Sequence, residues 1–216
     1  MHRRTATCLV SLTAIVTLAL AGCTPSAPNA TSTDTPAASA TPTPTLEPTT
    51  PPTPAADDQA STSDDAIAQA TKAAQRYFDA SFTMMSTPGL DASYLSGLLV
   101  PGSPMVKQAE GTVATGYRLK GQPVKWTTNA AMSIAGPLTD GSGAKAPYGS
   151  VQLYGCGDNA GTETVDAQGN PLNFAKGTSP AVWTIYFDPQ SHIWLIYELK
   201  TLVGADGKPV EGSPQC

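Results

Sequence analysis

The chain has 216 residues, with 12 lysine and arginine residues against 17 aspartate and glutamate residues. Removal of an N-terminal signal that carries Arg3 and Arg4 leaves 10 basic against 17 acidic side chains, a net charge of −7. An acidic chain without a basic cluster excludes nucleic acid as the expected partner and excludes peripheral binding to anionic lipid, because both need grouped Lys and Arg side chains.

The first 23 residues predict an export signal. Arg3 and Arg4 form a basic head, an apolar run follows from Leu9 to Leu20, and small residues end the segment. The apolar run is shorter than the about 20 residues that cross a bilayer, and three hydroxyl residues interrupt it. A removable signal is therefore favoured over a transmembrane helix.

The end of this signal, Leu20-Ala21-Gly22-Cys23, resembles the lipobox of bacterial lipoproteins. In that family the cysteine thiol is alkylated with diacylglycerol and the chain is cut just before it. The resemblance implies a removed signal peptide at 1–22, cleavage between Gly22 and Cys23, and an acyl anchor on Cys23 at the extracytoplasmic face of the cell membrane, where two acyl chains hold firmly. The alternative is an ordinary signal peptide whose small residues precede a cysteine.

The cysteine count predicts a disulfide. Cys8 leaves with the signal and Cys23 takes lipid, so the exported domain keeps Cys156 and Cys216. Two thiols in an oxidising compartment usually pair, and this pair would close a loop of about 60 residues and stabilise the fold by about 4 kcal/mol. The alternative is two free thiols.

Residues 23–56 comprise the lipidated cysteine and a segment made almost entirely of Thr, Pro, Ala and Ser. Such a segment buries too little apolar surface to fold, so we expect a disordered, partly polyproline-II tether with a full reach of about 100 Å. Its threonines also suit O-glycosylation.

Residues 57–216 predict one globular domain whose helices come first. Apolar residues from Ile67 to Met85 recur at helical spacing, and four aspartates between positions 57 and 65 favour a helix start. Asp91 predicts the N-cap of a short helix that buries Tyr94 and its leucines. Ser103-Pro104 predicts a third helix.

Strands follow the helices. The pattern changes to alternation after Gly121 and predicts one long strand through residues 124–134, then a second strand at 148–156. Gly169-Asn170 predicts a turn between two weaker strands. A hairpin is expected from 181–187 and 192–202 around the turn 188–191. Helices followed by antiparallel strands define an α+β domain.

The element order, with Val151-x-Leu153-x-x-Cys156-x-Asp158, a Gly169 turn, Trp194 in the last hairpin and a C-terminal cysteine, resembles small exported actinobacterial lipoproteins of the SnoaL-like, nuclear transport factor 2 superfamily. The resemblance implies a cone: a long helix and two short ones packed in a curved antiparallel sheet. Relatives use the cone pocket as an isomerase or dehydratase site, as a binding site or as core, and many dimerise through the sheet face. The fold does not select a function.

Catalytic groups are sparse in the mature chain. His192 is its one histidine, next to a predicted turn, and two paired cysteines leave too few ligands for zinc. Asp158 and Glu198 are the other weak catalytic candidates, although a turn role for Asp158 and an outward position for Glu198 are favoured. No cofactor or metal is expected. Side chains that would line a pocket are Tyr94, Trp126, Tyr154, Trp183 and Tyr197, with core packing the favoured alternative for the tryptophans.

Three functions remain open. The favoured one is a non-enzymatic module that binds an envelope ligand or partner protein. The alternatives are an isomerase-type or hydrolase-like enzyme, and a structural envelope protein that works as an oligomer, such as a homodimer formed through the sheet face. An inward carboxylate or imidazole beside a tyrosine would favour the enzyme.

Overall fold

The computed structural model describes residues 50–53 and 56–216. The chain divides into two units, Met1–Thr45 and Leu46–Cys216. The predicted signal peptide, Cys23 and most of the tether therefore lie outside the described residues. Within the described part of the chain, no helix combines the length and apolarity needed to cross a membrane.

The predicted first helix is confirmed as α1, Ser63–Ser86. The Thr62 side chain caps it by accepting a hydrogen bond from the Asp65 backbone N–H at 3.1 Å, and Asp64 and Asp65 occupy the first turn, where the helix dipole favours negative charge. Asp57 has a different role from the one expected at the helix start, because its carboxylate binds the Arg76 guanidinium at 2.8 Å.

Two shorter helices follow in the predicted places. The first is a 3-10 helix, Ala92–Leu98, whose cap Asp91 accepts the Ser93 N–H at 2.8 Å. The second is α2, Pro104–Ala114. Ser103 stands at its N-cap position without making a side-chain capping bond, so the proline at N1 rather than the serine hydroxyl starts this helix.

The described residues form seven strands in two antiparallel sheets. The strands are β1 (Arg118–Gly121), β2 (Lys125–Thr128), β3 (Ile134–Thr139), β4 (Lys145–Asp158), β5 (Thr162–Val165), β6 (Thr178–Asp188) and β7 (Ile193–Thr201). A five-stranded sheet has the order β2-β4-β6-β7 with β3 also paired to β4, and β1 and β5 form a two-stranded sheet. This combination of helices and antiparallel sheets confirms the α+β class.

The prediction of a single long strand at 124–134 is wrong. A turn at Asn129–Met132 interrupts it, because the Asn129 carbonyl accepts the N–H groups of Met132 and Ser133. The two halves, β2 and β3, pair with different stretches of β4. The alternation of apolar and polar residues that predicted one strand continues through the turn residues, so it does not reveal the turn.

The Gly169 turn is present, but the strand pair around it is short. The Gly169 N–H donates to the Asp166 carbonyl at 3.0 Å, and Val165 pairs with Pro171 in one isolated bridge. The main partner of β5 is β1, a strand that the sequence pattern did not indicate.

The predicted C-terminal hairpin is confirmed as β6 and β7. Successive side chains of β6 point to opposite faces of the sheet, and one face carries the buried residues Trp183, Ile185 and Phe187. The register of β7 shifts between the partners of Thr184 and Ile185, which leaves Tyr197 as the extra residue of a bulge.

The core lies between α1 and the five-stranded sheet. Tyr77 and Phe78 of α1 meet Trp126 and Trp183 of the sheet, with ring centroids 5.2 to 6.4 Å apart. The Gln75 side chain also connects α1 to β2, because its amide oxygen accepts a hydrogen bond from the backbone N–H of Trp126 at 2.9 Å. Aromatic packing of this kind supplies a large share of core burial.

Cys156 and Cys216 form a disulfide, with their Cα atoms 5.8 Å apart, as the cysteine count predicted. The bond holds the C-terminal segment against the end of the sheet. Val210 donates its N–H to the Leu202 carbonyl at 2.9 Å, and Pro214 is fully buried. The last residues of the chain are therefore part of the packed domain.

Candidate binding surface

The side of the five-stranded sheet opposite α1, called here the outer face, carries a group of partly exposed aromatic and aliphatic side chains. Residues directly opposite in antiparallel strands share a face, so the register defines the group. Its members project from β3, β4, β6 and β7: Ile134, Tyr154, Val182, Tyr186, Leu195 and Tyr197. Ile134 is 61% exposed, the largest value among the exposed large apolar residues of the described chain.

Two tyrosines of the outer face, one on β6 and one on the edge strand β7, contact each other. The rings of Tyr186 and Tyr197 lie 5.4 Å apart between centroids, at 48°. The bulge in β7 makes this contact possible, since the extra residue places Tyr197 beside Tyr186, which pairs in register with Leu195. Rigid aromatic side chains of this type provide contact area at a low entropic cost.

A row of polar side chains crosses the outer face between these apolar residues. Glu198 and Lys200 form an ion pair at 2.9 Å, and the hydrogen bond and charge of Glu198 raise the pKa of Lys200. The backbone of Gln152 pairs with that of Thr184, and Thr184 in turn pairs with Glu198. The outer face thus combines tyrosine and aliphatic residues with a polar row that lies between Tyr154 and Val182 on one side and Tyr186 and Leu195 on the other.

The three catalytic candidates lie apart. Asp158 ends β4, and its carboxylate accepts the Ala160 N–H at 2.9 Å, which is the turn role favoured from the sequence. His192 is exposed in the hairpin turn with φ 55°, and its backbone N–H donates to the Asp188 carbonyl at 2.8 Å. Glu198 lies on the outer face in its ion pair. None of the three faces the core beside a tyrosine.

The five side chains considered for a pocket are divided between two faces. Trp126 and Trp183 contact each other in the core, with centroids 5.9 Å apart, and Tyr94 is buried in the 3-10 helix. Tyr154 and Tyr197 instead belong to the outer face. Sequence reasoning missed Tyr186 and Ile134, although alternation along β6 places Tyr186 on the side of Val182 and Thr184.

A cavity of about 180 Å³ opens between α1, α2 and the sheet. Its polar lining consists of Tyr77, Ser81, Gln108 and Thr112, without a carboxylate or imidazole. Burial raises the pKa of Tyr77 to about 12, so this phenol stays protonated at physiological pH. The cavity is below the 300 to 1,000 Å³ usual for ligand sites, and its lining provides no acid–base pair.

Across residues 50–53 and 56–216, no group of three or more His, Cys, Asp or Glu side chains lies close enough to hold a metal ion. The outer face presents tyrosine, aliphatic and amide groups for noncovalent contact. This arrangement suits recognition of another surface.

No protein-family model matches the chain, and no curated protein sequence matches it. Among solved structures, the crystal structure of the intermembrane space region of the chloroplast protein ARC6 is similar, with 11% sequence identity and a TM-score of 0.40. The similarity covers 64% of this chain and 97% of that one. A likeness at this TM-score carries no information about function.

Proposed function

We propose that the protein is a bacterial lipoprotein, anchored through Cys23 at the extracytoplasmic face of the membrane, whose domain binds a partner protein of the cell envelope through the outer face. The observation that carries this proposal is the set of partly exposed tyrosine and aliphatic side chains on the outer face, around the Tyr186 and Tyr197 pair.

The composition of the outer face supports binding to a protein. Tyrosine is enriched at protein interfaces, where it often supplies much of the binding energy. The contributing side chains come from four neighbouring strands, which make a broad surface, whereas sites for small molecules are concave. A protein partner with its own apolar patch suits such a surface.

The positions of the candidate catalytic groups favour binding over catalysis. An isomerase-type site needs a carboxylate or similar base next to a donor in an apolar pocket. Here Asp158 closes a turn, and Glu198 forms an ion pair with Lys200. The cavity beside Tyr77 has no such base in its lining.

We also propose that the domain has the SnoaL-like form of an α+β fold. The support is the order of elements, one long helix and two short ones before the antiparallel strands, with α1 packed across one face of the main sheet. Register shifts in β3 and β7 add bends of the kind that curve a sheet. An experimental structure in which the main sheet is flat and does not curve around α1 would contradict this assignment.

Metabolic labelling with a palmitate analogue tests the anchor. We expect the wild-type chain to carry label and to fractionate with membranes, and Cys23→Ala to lose both properties because no thiol remains to be acylated. Cys8→Ala is the matched control and keeps the label, since Cys8 leaves with the signal. Label that survives in Cys23→Ala would refute the anchor.

Photo-crosslinking in intact cells tests the outer face. A benzophenone amino acid at position 197 is expected to give one discrete adduct with another protein, and the same amino acid at the exposed position 117 is expected to give none. After purification of the crosslinked partner, Tyr186→Ser should weaken its binding by about tenfold. Equal adducts at both positions, or none at 197, would overturn the proposal.

Self-association through the outer face is the second candidate function. A partly exposed sheet face can bind a second copy of the chain as well as a different protein. An adduct of twice the chain mass at position 197 would overturn binding of a different protein. Light scattering at several concentrations separates the two, since a self-associating chain gains mass with concentration and Tyr197→Ser would abolish that gain.

A further inference from the structure

A groove runs along the surface between the 3-10 helix and α2, and we call it the helix groove. It consists of two adjoining cavities of about 410 and 310 Å³ that share Ala92, Ser93 and Glu110. Apolar side chains dominate its walls, among them Leu99, Pro101, Val106 and Val113. Its volume is sufficient for several apolar side chains from another segment.

The chain enters the domain beside this groove. A third cavity, of about 210 Å³, is lined by Pro51 together with Asp91 and Ser93, two residues that also line the helix groove. Pro51 thus lies close to the end of the helix groove that Asp91 and Ser93 line. The residues that precede Pro51 start from the mouth of the groove.

One apolar residue stands out in that preceding segment. Between residues 24 and 56 the sequence has one large aliphatic side chain, Leu46, among Thr, Pro, Ala and Ser. Leu46 precedes Pro51 by five positions, which allows a reach of about 16 Å in an extended polyproline-II form. That reach equals the length of α2, about 16 Å for 11 residues.

We propose that the helix groove binds the chain's own segment 46–49, with the Leu46 side chain inserted between the 3-10 helix and α2. Burial of an otherwise exposed leucine against Leu99 and Val106 drives the contact. The nearby prolines reduce the freedom that the segment loses when it docks.

The charges of the groove are compatible with this occupant. Asp91 and Glu110 are the charged residues of its lining, and Glu47 follows Leu46 in the chain. A polyproline-II segment has three residues per turn, so Glu47 points about 120° away from Leu46 and into solvent. The carboxylates therefore stay hydrated while the leucine is buried.

Docking would shorten the spacer between membrane and domain, a consequence that rests on the proposed anchor at Cys23. With segment 46–49 bound, residues 24–45 remain as free spacer, and their full reach is about 70 Å instead of about 100 Å. The intramolecular contact itself does not depend on the anchor or on the partner.

Hydrogen exchange measured by mass spectrometry on the purified full chain in detergent tests the contact. Leu46→Ser is expected to raise amide exchange about tenfold in peptides that cover 92–99 and 104–114, because the lost apolar contact uncovers the groove. Leu46→Met, which keeps an apolar side chain of similar volume, should match the wild type.

The reciprocal variant Val106→Ser should make the segment 46–53 more susceptible to limited proteolysis in the same preparation. Equal exchange of the groove peptides in wild type and Leu46→Ser would overturn the proposal. Protection that persists in Leu46→Ser and increases with protein concentration would also overturn it and assign the groove to a second copy. Both readouts leave palmitate labelling unchanged, so failure here is distinct from failure of the anchor.

Discussion

Tyr77 illustrates how burial sets the chemistry of a single side chain. Burial raises the pKa of its phenol to about 12, while a hydrogen bond with Ser81 acts in the opposite direction. Its ring contacts that of Trp183, with centroids 5.4 Å apart, and is part of the buried core. An unfolded tyrosine titrates near 10, so the folded state favours the neutral phenol.

Because the folded pKa of Tyr77 exceeds the unfolded value, its contribution to stability is complete below about pH 10 and is lost as the pH rises toward 12. Tyr77→Phe should therefore show a smaller loss of unfolding free energy between pH 9 and 11.5 than the wild type, measured by urea unfolding. Tyr117→Phe, at a 36% exposed tyrosine, is the control. Equal pH slopes for Tyr77→Phe and wild type would contradict this account.

Asp140 affects the stability of the fold at acid pH, whereas Tyr77 affects it at alkaline pH. The Ser142 hydroxyl, with the backbone N–H groups of Ala144 and Ser142, lowers the pKa of this carboxyl below its usual 3.8. The stabilisation is present above that value and is lost as the pH falls through the lower folded value. We expect Asp140→Ala to flatten the acid side of the melting-temperature profile below pH 4. A profile of unaltered shape in Asp140→Ala would contradict the turn's role.

At the scale of elements, the contact between β2 and β4 depends on the absence of a side chain at Gly155. A Cβ there would overlap the Thr127 carbonyl and the Trp126 ring. This close approach brings Trp126 into the aromatic cluster with Phe78 and Trp183. The glycine thus determines how the first strand of the main sheet packs.

Gly155→Ala is expected to lower the free energy of unfolding by about 1 to 3 kcal/mol, because backbone and indole must both move. Gly136→Ala in β3 is the matched control, since a Cβ there meets no atom within 4 Å. Denaturant unfolding followed by tryptophan fluorescence measures both. Equal stabilities would show that the sheet adjusts without cost.

For the whole molecule, the Cys156 and Cys216 bond joins β4 to the end of the chain across 60 residues. Replacing both cysteines by serine should lower the free energy of unfolding by about 4 kcal/mol, since the unfolded chain regains its loop entropy. Reduction of the wild type should reproduce the loss. A change below about 1 kcal/mol would indicate that tail packing around Pro214 holds the C-terminus without the bond.

Local patterns in the sequence were sufficient for much of the fold. The helical spacing from Ile67 to Met85, the N-cap Asp91, the N1 residue Pro104 and the 188–191 turn each depend on residues close together in the chain. The corresponding elements are present. The pairing of Cys156 with Cys216 was also predicted, from the cysteine count together with the expected loss of Cys8 and lipidation of Cys23.

Only the tertiary structure decided which residues meet across the chain. The turn at Asn129 separates two strands that alternation had joined, and β1 found its partner β5 about 40 residues further on. The bulge at Tyr197 brought two tyrosines together on the outer face, while Trp126 and Trp183 went to the core. A period of two assigns a residue to one of two faces, but the pairing register decides which face packs against α1, and register depends on contacts distant in sequence.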